Sequence, residues 1–343
     1  MRFGTAGRGP AGPWRAAVVA VTSLALAASP PATRRAAAQQ RGTVEADYIL
    51  SRVLGAEKHY VIYLPPSYAT SPQRHYPVAY YLHGAWGSEV DWTRSGRLDA
   101  VLDSLIAAGA PEMIVVMPDG DDGFYTTWAR SYDWRACPQR TDLREPAVRY
   151  CVRHPRYDRY VAEELVRHVD ATYRTIADAA HRGVAGLSMG GYGAISLAVR
   201  YPAVWSAAAS HSGALSLLAV RGDTSSGTVE TAPGLAAAWG SRSADLAAIL
   251  DAVFGPDSSE WWERDPVRRL SGLPAADRAR APALYLDVGA GDLFLQQNRA
   301  FRGDVAALGV SVTYNEYPGA HDWAYWRAHV GESLAWLAQR IAR

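Results

Sequence analysis

An apolar run over residues 183–187 ends in Gly186-Leu187-Ser188-Met189-Gly190-Gly191 and passes at once into a helix-forming stretch, residues 191–201. No other segment constrains the chain as tightly. A strand that turns into a helix this abruptly leaves no space for Cβ atoms beside the turn, which is why glycines flank Ser188 on both sides. The same sharpness forces the central residue into a strained backbone conformation and lifts its side chain clear of the strand end. Such a turn is useful only where the helix packs back onto a sheet.

The rest of the chain has the matching alternation. Residues 59–64, 78–82, 113–117, 183–187, 205–210, 284–288 and 310–314 are short apolar runs, several with no polar alternation and hence no wet face. Residues 98–108, 158–176, 191–201, 244–254, 294–308 and 323–341 have helical periodicity. The fold class predicted is α/β, a mostly parallel sheet with helices on both faces. Two stretches break the pattern: residues 119–155 are polar and aromatic, and residues 213–282 are rich in Gly, Ser and Pro. They are expected to lie over the strand ends as lid-like loop insertions.

With 343 residues, 35 Lys+Arg against 34 Asp+Glu and 49% apolar residues, the chain can bury a large core and is neither disordered nor fibrous. A formal charge of +1 without a basic block argues against nucleic acid as a partner. The N-terminus has its own character. Arg2, Arg8 and Arg15 precede an uncharged run over residues 16–28, and Ala36-Ala37-Ala38 follows, the order of a secretory signal peptide. Thirteen residues are too few to cross a bilayer, which takes about 20, so no stable membrane insertion is expected. Residues 1–38 are therefore read as a leader and 39–343 as one catalytic domain, secreted or periplasmic. Losing five arginines and no acid would take the formal charge from +1 to −4.

Export also bears on the cysteines. Cys137 and Cys151 are the only two, in a polar, Arg-rich segment, and in an oxidising compartment they read as one disulfide clipping a surface excursion. Two free thiols are the alternative. Zinc is not expected, because no CxxC or HxxxH pair stands nearby to complete a tetrahedral site.

A serine hydroxyl is a weak nucleophile at neutral pH and needs a base, which in turn needs an orienting carboxylate. For a strand–turn–helix serine the chain order is Ser, then Asp or Glu, then His. His321 stands in a loop directly after a strand ending near Tyr317 and is the expected base; His329, two turns into the next helix, fits packing better. Asp292, on the turn Gly289-Ala290-Gly291-Asp292-Leu293, is the expected acid, with Asp287 inside the preceding strand as the alternative. Two N–H groups must face the developing oxyanion. Met189 follows the nucleophile, and Ala85 lies in the loop Leu82-His83-Gly84-Ala85-Trp86-Gly87 that ends an early strand.

Taken as an ordered set, Tyr63-Leu64-Pro65-Pro66-Ser67-Tyr68, Leu82-His83-Gly84, Val116-Met117-Pro118-Asp119-Gly120, the residues 186–193, the residues 289–292 and Gly319-Ala320-His321-Asp322-Trp323 span most of the chain from Tyr60 onward. This set resembles the putative-esterase family of α/β hydrolases (esterase D, antigen 85, feruloyl esterase). The resemblance implies a Ser188, Asp292 and His321 triad with Ala85 and Met189 as oxyanion donors, in agreement with the residue-by-residue reading. The insert between Asp119 and Tyr157 departs from that family's pattern and touches the expected acyl or alcohol pocket.

Asp119-Gly120-Asp121-Asp122-Gly123 looks like a calcium loop, but an EF-hand needs an oxygen ligand where Gly123 stands and a Glu where Arg130 stands, so no metal or other cofactor is expected. His83 and His211 are given structural roles. Of the tryptophans in loops near the expected site, Trp86, Trp128 and Trp261 are expected to meet substrate. The function expected is an exported serine carboxylesterase acting on acetyl or hydroxycinnamoyl esters of carbohydrates through a covalent acyl-enzyme. Its partner would be a small-molecule or polysaccharide ester. The alternatives are acyl transfer to sugar hydroxyls (mycolyltransferase-like), S-formylglutathione hydrolysis, and a non-catalytic carbohydrate-binding module of the same fold.

Overall fold

Strands β1 (Thr43–Ser51) and β2 (Ala56–Leu64) form an antiparallel hairpin that turns at Gly55, whose φ of +70° is a left-handed conformation that glycine adopts without a Cβ penalty. In this computed structural model, residues 41–131, 133–141, 145–215 and 243–343 are described, without the side chains of residues 243–246 and 258. The leader expected over residues 1–38 and residues 216–242 of the second insertion lie outside the described residues. β2 pairs antiparallel with β4 (Ile114–Pro118). From β4 onward the strands β3 (Val78–Leu82), β5 (Arg182–Leu187), β6 (Ala207–His211), β7 (Ala283–Gly289) and β8 (Val312–Tyr317) are parallel. The spatial order is β1-β2-β4-β3-β5-β6-β7-β8.

The central strands are apolar on both faces because both are covered. Val78, Tyr80, Leu82, Ile114, Val116 and Val184 point to one side, where α2 (Val166–Thr172), α3 (Met189–Arg200) and α5 (Leu295–Ala307) pack. Ala79, Tyr81, Val115, Met117, Ala185 and Leu187 point to the other, under α1 (Leu98–Ala107) and α6 (Trp323–Ile341). Each fully buried Val, Leu or Ile side chain contributes about 1.5–3 kcal/mol, so this two-sided burial is what fixes the register. Residues Gln40–Arg343 form one compact unit. No helix among the described residues is long and apolar enough to cross a membrane.

Several element boundaries differ from the sequence reading. β1 has no counterpart in it, and β2 begins at Ala56, three residues before the run at 59–64. The last strand is Val312–Tyr317 and not 310–314, because Gly309 (φ +77°) and Val310 still belong to the turn that closes α5. The helix read over 158–176 is Tyr157–Arg159, a π-helical segment Tyr160–Leu165, and α2; it stops at Thr172 because Thr175 bridges to Tyr76. Within the second insertion the helix read over 244–254 is α4 (Ser243–Phe254), and the stretch after it, expected as loop, holds three further short helices, Ser258–Trp262, Pro266–Ser271 and Ala275–Arg278.

Candidate active site

Three strand ends meet above the sheet. Ser188 follows β5 with φ +53° and ψ −116°, the strained turn that the glycines on either side foretold. A Cβ at Gly186 would lie 2.3 Å from the carbonyl oxygen of Gly190, and one at Gly190 would lie 2.4 Å from that of Leu82, so neither position has space for a side chain. The Ser188 N–H donates to the carbonyl of His211 at the end of β6 (2.9 Å). Its hydroxyl is thereby set at the N-terminus of α3, where unpaired N–H groups and the helix dipole favour negative charge.

His321 and Asp292 come from the two loops beyond. Asp292 ends the turn after β7, and its Oδ1 accepts the Phe294 N–H at 2.7 Å. His321 ends the turn after β8, where Gly319 (φ +146°) passes its carbonyl to the Gly291 N–H at 2.8 Å and so joins the two loops. The His321 Nε2 lies 2.9 Å from Ser188 Oγ, and its Nδ1 lies 3.0 and 3.1 Å from the two oxygens of Asp292. Phe294 and Trp326 meet the imidazole edge-on, each with ring centroids 5.0 Å away, and hold its plane. The Asp292 side chain is fully buried and that of His321 is 13% exposed, so solvent reaches the line from the cleft, at Ser188 and His321, and not at the carboxylate.

Asp287 and His329 are elsewhere. Asp287 pairs with His211 on the face of the sheet under α6, and His329 stacks flat on Tyr317 with ring centroids 4.2 Å apart. Ala85 lines the same cleft as Ser188, and Met189 opens α3 directly after it; among the described residues neither N–H has an acceptor. The loop carrying Ala85 is clamped from below. His83 accepts the Gly120 N–H on Nε2 (2.9 Å) and so donates from Nδ1 to the Gly84 carbonyl (2.8 Å), which gives it the structural role expected. Asp122 accepts the Trp86 N–H at 2.6 Å.

The cleft holds about 280 Å³ and is lined by Ala85, Trp86, Asp91, Ser188, His321 and the ring pair Trp323 and Trp326, with Gly84, Leu187 and Leu293. Trp86 thus lines the cleft that holds Ser188. Trp128 and Trp261 are not among the lining residues, which corrects their expected contact with this cleft. Trp128 is half-buried against Tyr157, with its indole N–H on the Gly123 carbonyl. Trp261 is core: it packs on Phe254 with centroids 4.9 Å apart and donates to the Gly255 carbonyl at 2.7 Å. The aromatic lining that sequence reasoning passed over is Trp323 and Trp326, three residues apart on the first turn of α6, next to His321.

The calcium-like loop is occupied by a lysine. Lys58, fully buried on β2, sets its ammonium against Asp119 and, at 2.8 Å, Asp121. The Lys58 ammonium holds the Asp119 carboxyl below the usual carboxylate range, although burial opposes it; burial pushes Asp121 up to about 6 and Glu145 up to about 7. Asp119, Asp121 and Glu145 are close enough to share a cation, and the ammonium already supplies one. Cys137 and Cys151 are joined in a disulfide with a Cα–Cα distance of 5.7 Å.

The family described as "Putative esterase" matches residues 51–337. The chain belongs to this family. An esterase of Mycobacterium tuberculosis is 30% identical over 274 residues, which are 76% of this chain and 51% of that protein. The chain thus spans about half the length of the curated relatives it matches first. An acetyl esterase of Caldicellulosiruptor saccharolyticus is 21% identical over 260 residues, covering 76% of this chain and 82% of the relative. Among solved structures, a ferulic acid esterase is 25% identical with a TM-score of 0.64, covering 87% of this chain and 98% of that one. The α/β-hydrolase fold expected for the family is the fold found here.

Proposed function

We propose that this chain is an exported serine carboxylesterase that works through a covalent acyl-enzyme on acetyl or hydroxycinnamoyl esters of carbohydrates. The observation that carries the reading is the unbroken hydrogen-bonded line from Ser188 Oγ through His321 to Asp292. Asp292 keeps the proton of the imidazole on Nδ1, leaving Nε2 as the base. Nε2 takes the Ser188 proton as Oγ attacks the ester carbonyl, and the N–H groups of Ala85 and Met189 receive the oxyanion. His321 then returns the proton to the leaving alcohol. Water repeats the sequence on the acyl-enzyme, releasing the acid and restoring Ser188.

The cleft wall favours a carbohydrate on the alcohol side. Trp86 and Asp91 also line a second cavity of about 260 Å³, together with Ser88, Glu89, Glu145 and Arg149, with Gly87. An aromatic face beside a ring of hydrogen-bonding side chains suits a sugar, whose faces are apolar and whose edges are hydroxyls. A long alkyl chain would leave those carboxylates and the guanidinium unsolvated. Relatives carrying the names acetyl esterase and ferulic acid esterase support the same acyl groups. The test is labelling of the purified protein by a fluorophosphonate, expected at Ser188 and absent in Ser188→Ala, together with kcat/KM across acetyl, feruloyl, long-chain and S-formylglutathione esters. Labelling at another residue, or preference for either of the last two, would overturn the reading.

A further inference from the structure

A second set of polar side chains is buried beneath the site, on the face of the sheet that α6 covers. Asp287 and His211 are register partners on β7 and β6, and both are wholly buried. The His211 Nδ1 lies 2.9 and 2.8 Å from the two Asp287 oxygens, and its Nε2 lies 2.7 Å from Ser333 Oγ on α6. Tyr325, also on α6, donates its hydroxyl to Asp287 Oδ1 at 2.9 Å. None of these side chains lines the cleft.

What they hold is the backbone of the reacting residues. The His211 carbonyl accepts the N–H of Ser188 (2.9 Å), and the Asp287 carbonyl accepts the N–H of Ser212 (2.8 Å) next to it. The Tyr325 ring lies under Gly319, where a Cβ would come within 2.5 Å of Tyr325 Cδ2. Gly319 is two residues before His321, and its carbonyl takes the N–H of Gly291, one residue before Asp292. Asp287 thus stands between the backbone that fixes the nucleophile and the backbone that fixes its base and acid.

We propose that Asp287 is a positioning residue for the reaction: through His211 and Tyr325 it sets Ser188 against His321. The proposal rests on the triad of the proposed function. Asp287 accepts hydrogen bonds from two different elements at once, and in a close-packed interior a shift of either is passed on rather than absorbed. Asparagine keeps the shape but turns an amino group toward the His211 ring where Oδ2 now lies at 2.8 Å, opposing donor to donor. A displacement well under 1 Å between Ser188 and His321 suffices to slow the acylation step by about tenfold or more.

The experiment compares Asp287→Asn, Tyr325→Phe and Val169→Ala with the wild-type chain, each shown to be folded at the assay temperature. Val169 is buried on the opposite face of the sheet, so its truncation costs stability without touching this network. Asp287→Asn is expected to lower kcat at least about tenfold with KM within about twofold, and to slow fluorophosphonate labelling of Ser188 in parallel. Tyr325→Phe, which loses one bond, should show the same split at several-fold. Val169→Ala should lose thermal stability and keep its kcat. Wild-type kcat and labelling rate in folded Asp287→Asn overturn the proposal, and should that variant not fold, the same result in Tyr325→Phe does so. Ser188→Ala runs alongside: turnover surviving in it removes the proposed function itself, whereas a dead Ser188→Ala beside an unimpaired Asp287→Asn removes only the role of Asp287.

Discussion

Lys58 donates from its buried ammonium to Asp121 at 2.8 Å, and the same ammonium faces Asp119, whose carboxylate abuts the His83 ring under the loop of Ala85. An acidic run that reads as a cation loop is in this fold half of an internal ion pair. The other half sits 61 residues earlier, on a strand whose remaining inward residues are apolar. The partnership ties β2 to the loop after β4, and from there Asp122 reaches the Trp86 N–H and Gly120 reaches His83. The loop bordering the reacting serine is supported by charge buried beneath it.

Removing one partner of a buried pair leaves the other uncompensated, which costs about 3–5 kcal/mol. Lys58→Met should therefore lower the midpoint of urea unfolding by far more than a surface lysine substitution does. The sign with pH is also set. In the wild-type chain the depressed Asp119 contributes stability above its unfolded value of 3.8 that is lost as pH falls through the lower folded value. Without the lysine both carboxyls are raised, so their protonated forms are favoured by folding and the deficit shrinks as pH falls. Unfolding curves at pH 7 and pH 5 would measure this, and an equal deficit at both would contradict it.

Ser188→Ala and His321→Ala are each expected to lower kcat for a p-nitrophenyl ester by more than about a thousandfold, because the members act as a unit. Asp292→Asn should cost on the order of 10³–10⁴-fold, since the imidazole would then lose the partner that holds its proton on Nδ1. Steady-state kinetics of the three variants would check this. A serine variant retaining a tenth of the activity would sink the assignment.

Ser188 and Asp292 were legible because each stands at a turn directly after an apolar run, and a strand with no wet face announces itself without tertiary context; His321 follows the half-exposed strand Val312–Tyr317 and was legible from chain order and its loop. β3 was read to the residue for that reason. β1 was not: its Val44, Ala46, Tyr48 and Leu50 alternate with Glu45 and Asp47 but face solvent, so no buried apolar run marks it. Its nine-residue pairing with β2 makes it a strand, and that is a tertiary fact. The tryptophans failed differently. Trp261 follows Gly255 and Pro256 and reads as loop, yet the helix Ser258–Trp262 turns it onto Phe254. Trp323 and Trp326 reach the cleft only because α6 starts immediately after His321, a placement that spacing alone does not give a direction.

The disulfide joins residues 14 apart, and closing a loop of that size in the unfolded chain is worth about 3 kcal/mol in the chain-entropy account. Cys137→Ser with Cys151→Ser should lower the unfolding midpoint accordingly. Glu145 and Arg149 lie inside the closed loop and also line the cavity beyond Trp86. The loss should therefore raise KM for a bulky sugar ester while leaving hydrolysis of p-nitrophenyl acetate within about twofold. Equal loss on both substrates would separate the loop from substrate binding.

Trp86 offers the sharpest test of the alcohol side. Trp86 lines both the cleft at Ser188 and the cavity that holds Glu89, Glu145 and Arg149, which places it beside an alcohol that spans the two. Its φ of +61° is held by the Asp122 bond to its own N–H, which does not depend on the indole. Trp86→Phe keeps an aromatic face and Trp86→Ala removes it, and stacking of this kind is worth about 0.5–1.5 kcal/mol. Trp86→Ala should consequently lower kcat/KM for acetylated or feruloylated sugars by about two- to tenfold, mostly through KM, with Trp86→Phe in between. For p-nitrophenyl acetate, whose alcohol carries no sugar, both variants should stay within about threefold of wild type. A uniform loss across the two substrates would mean that the tryptophan shapes the oxyanion loop rather than the sugar, and would take away the main support for a carbohydrate on that side.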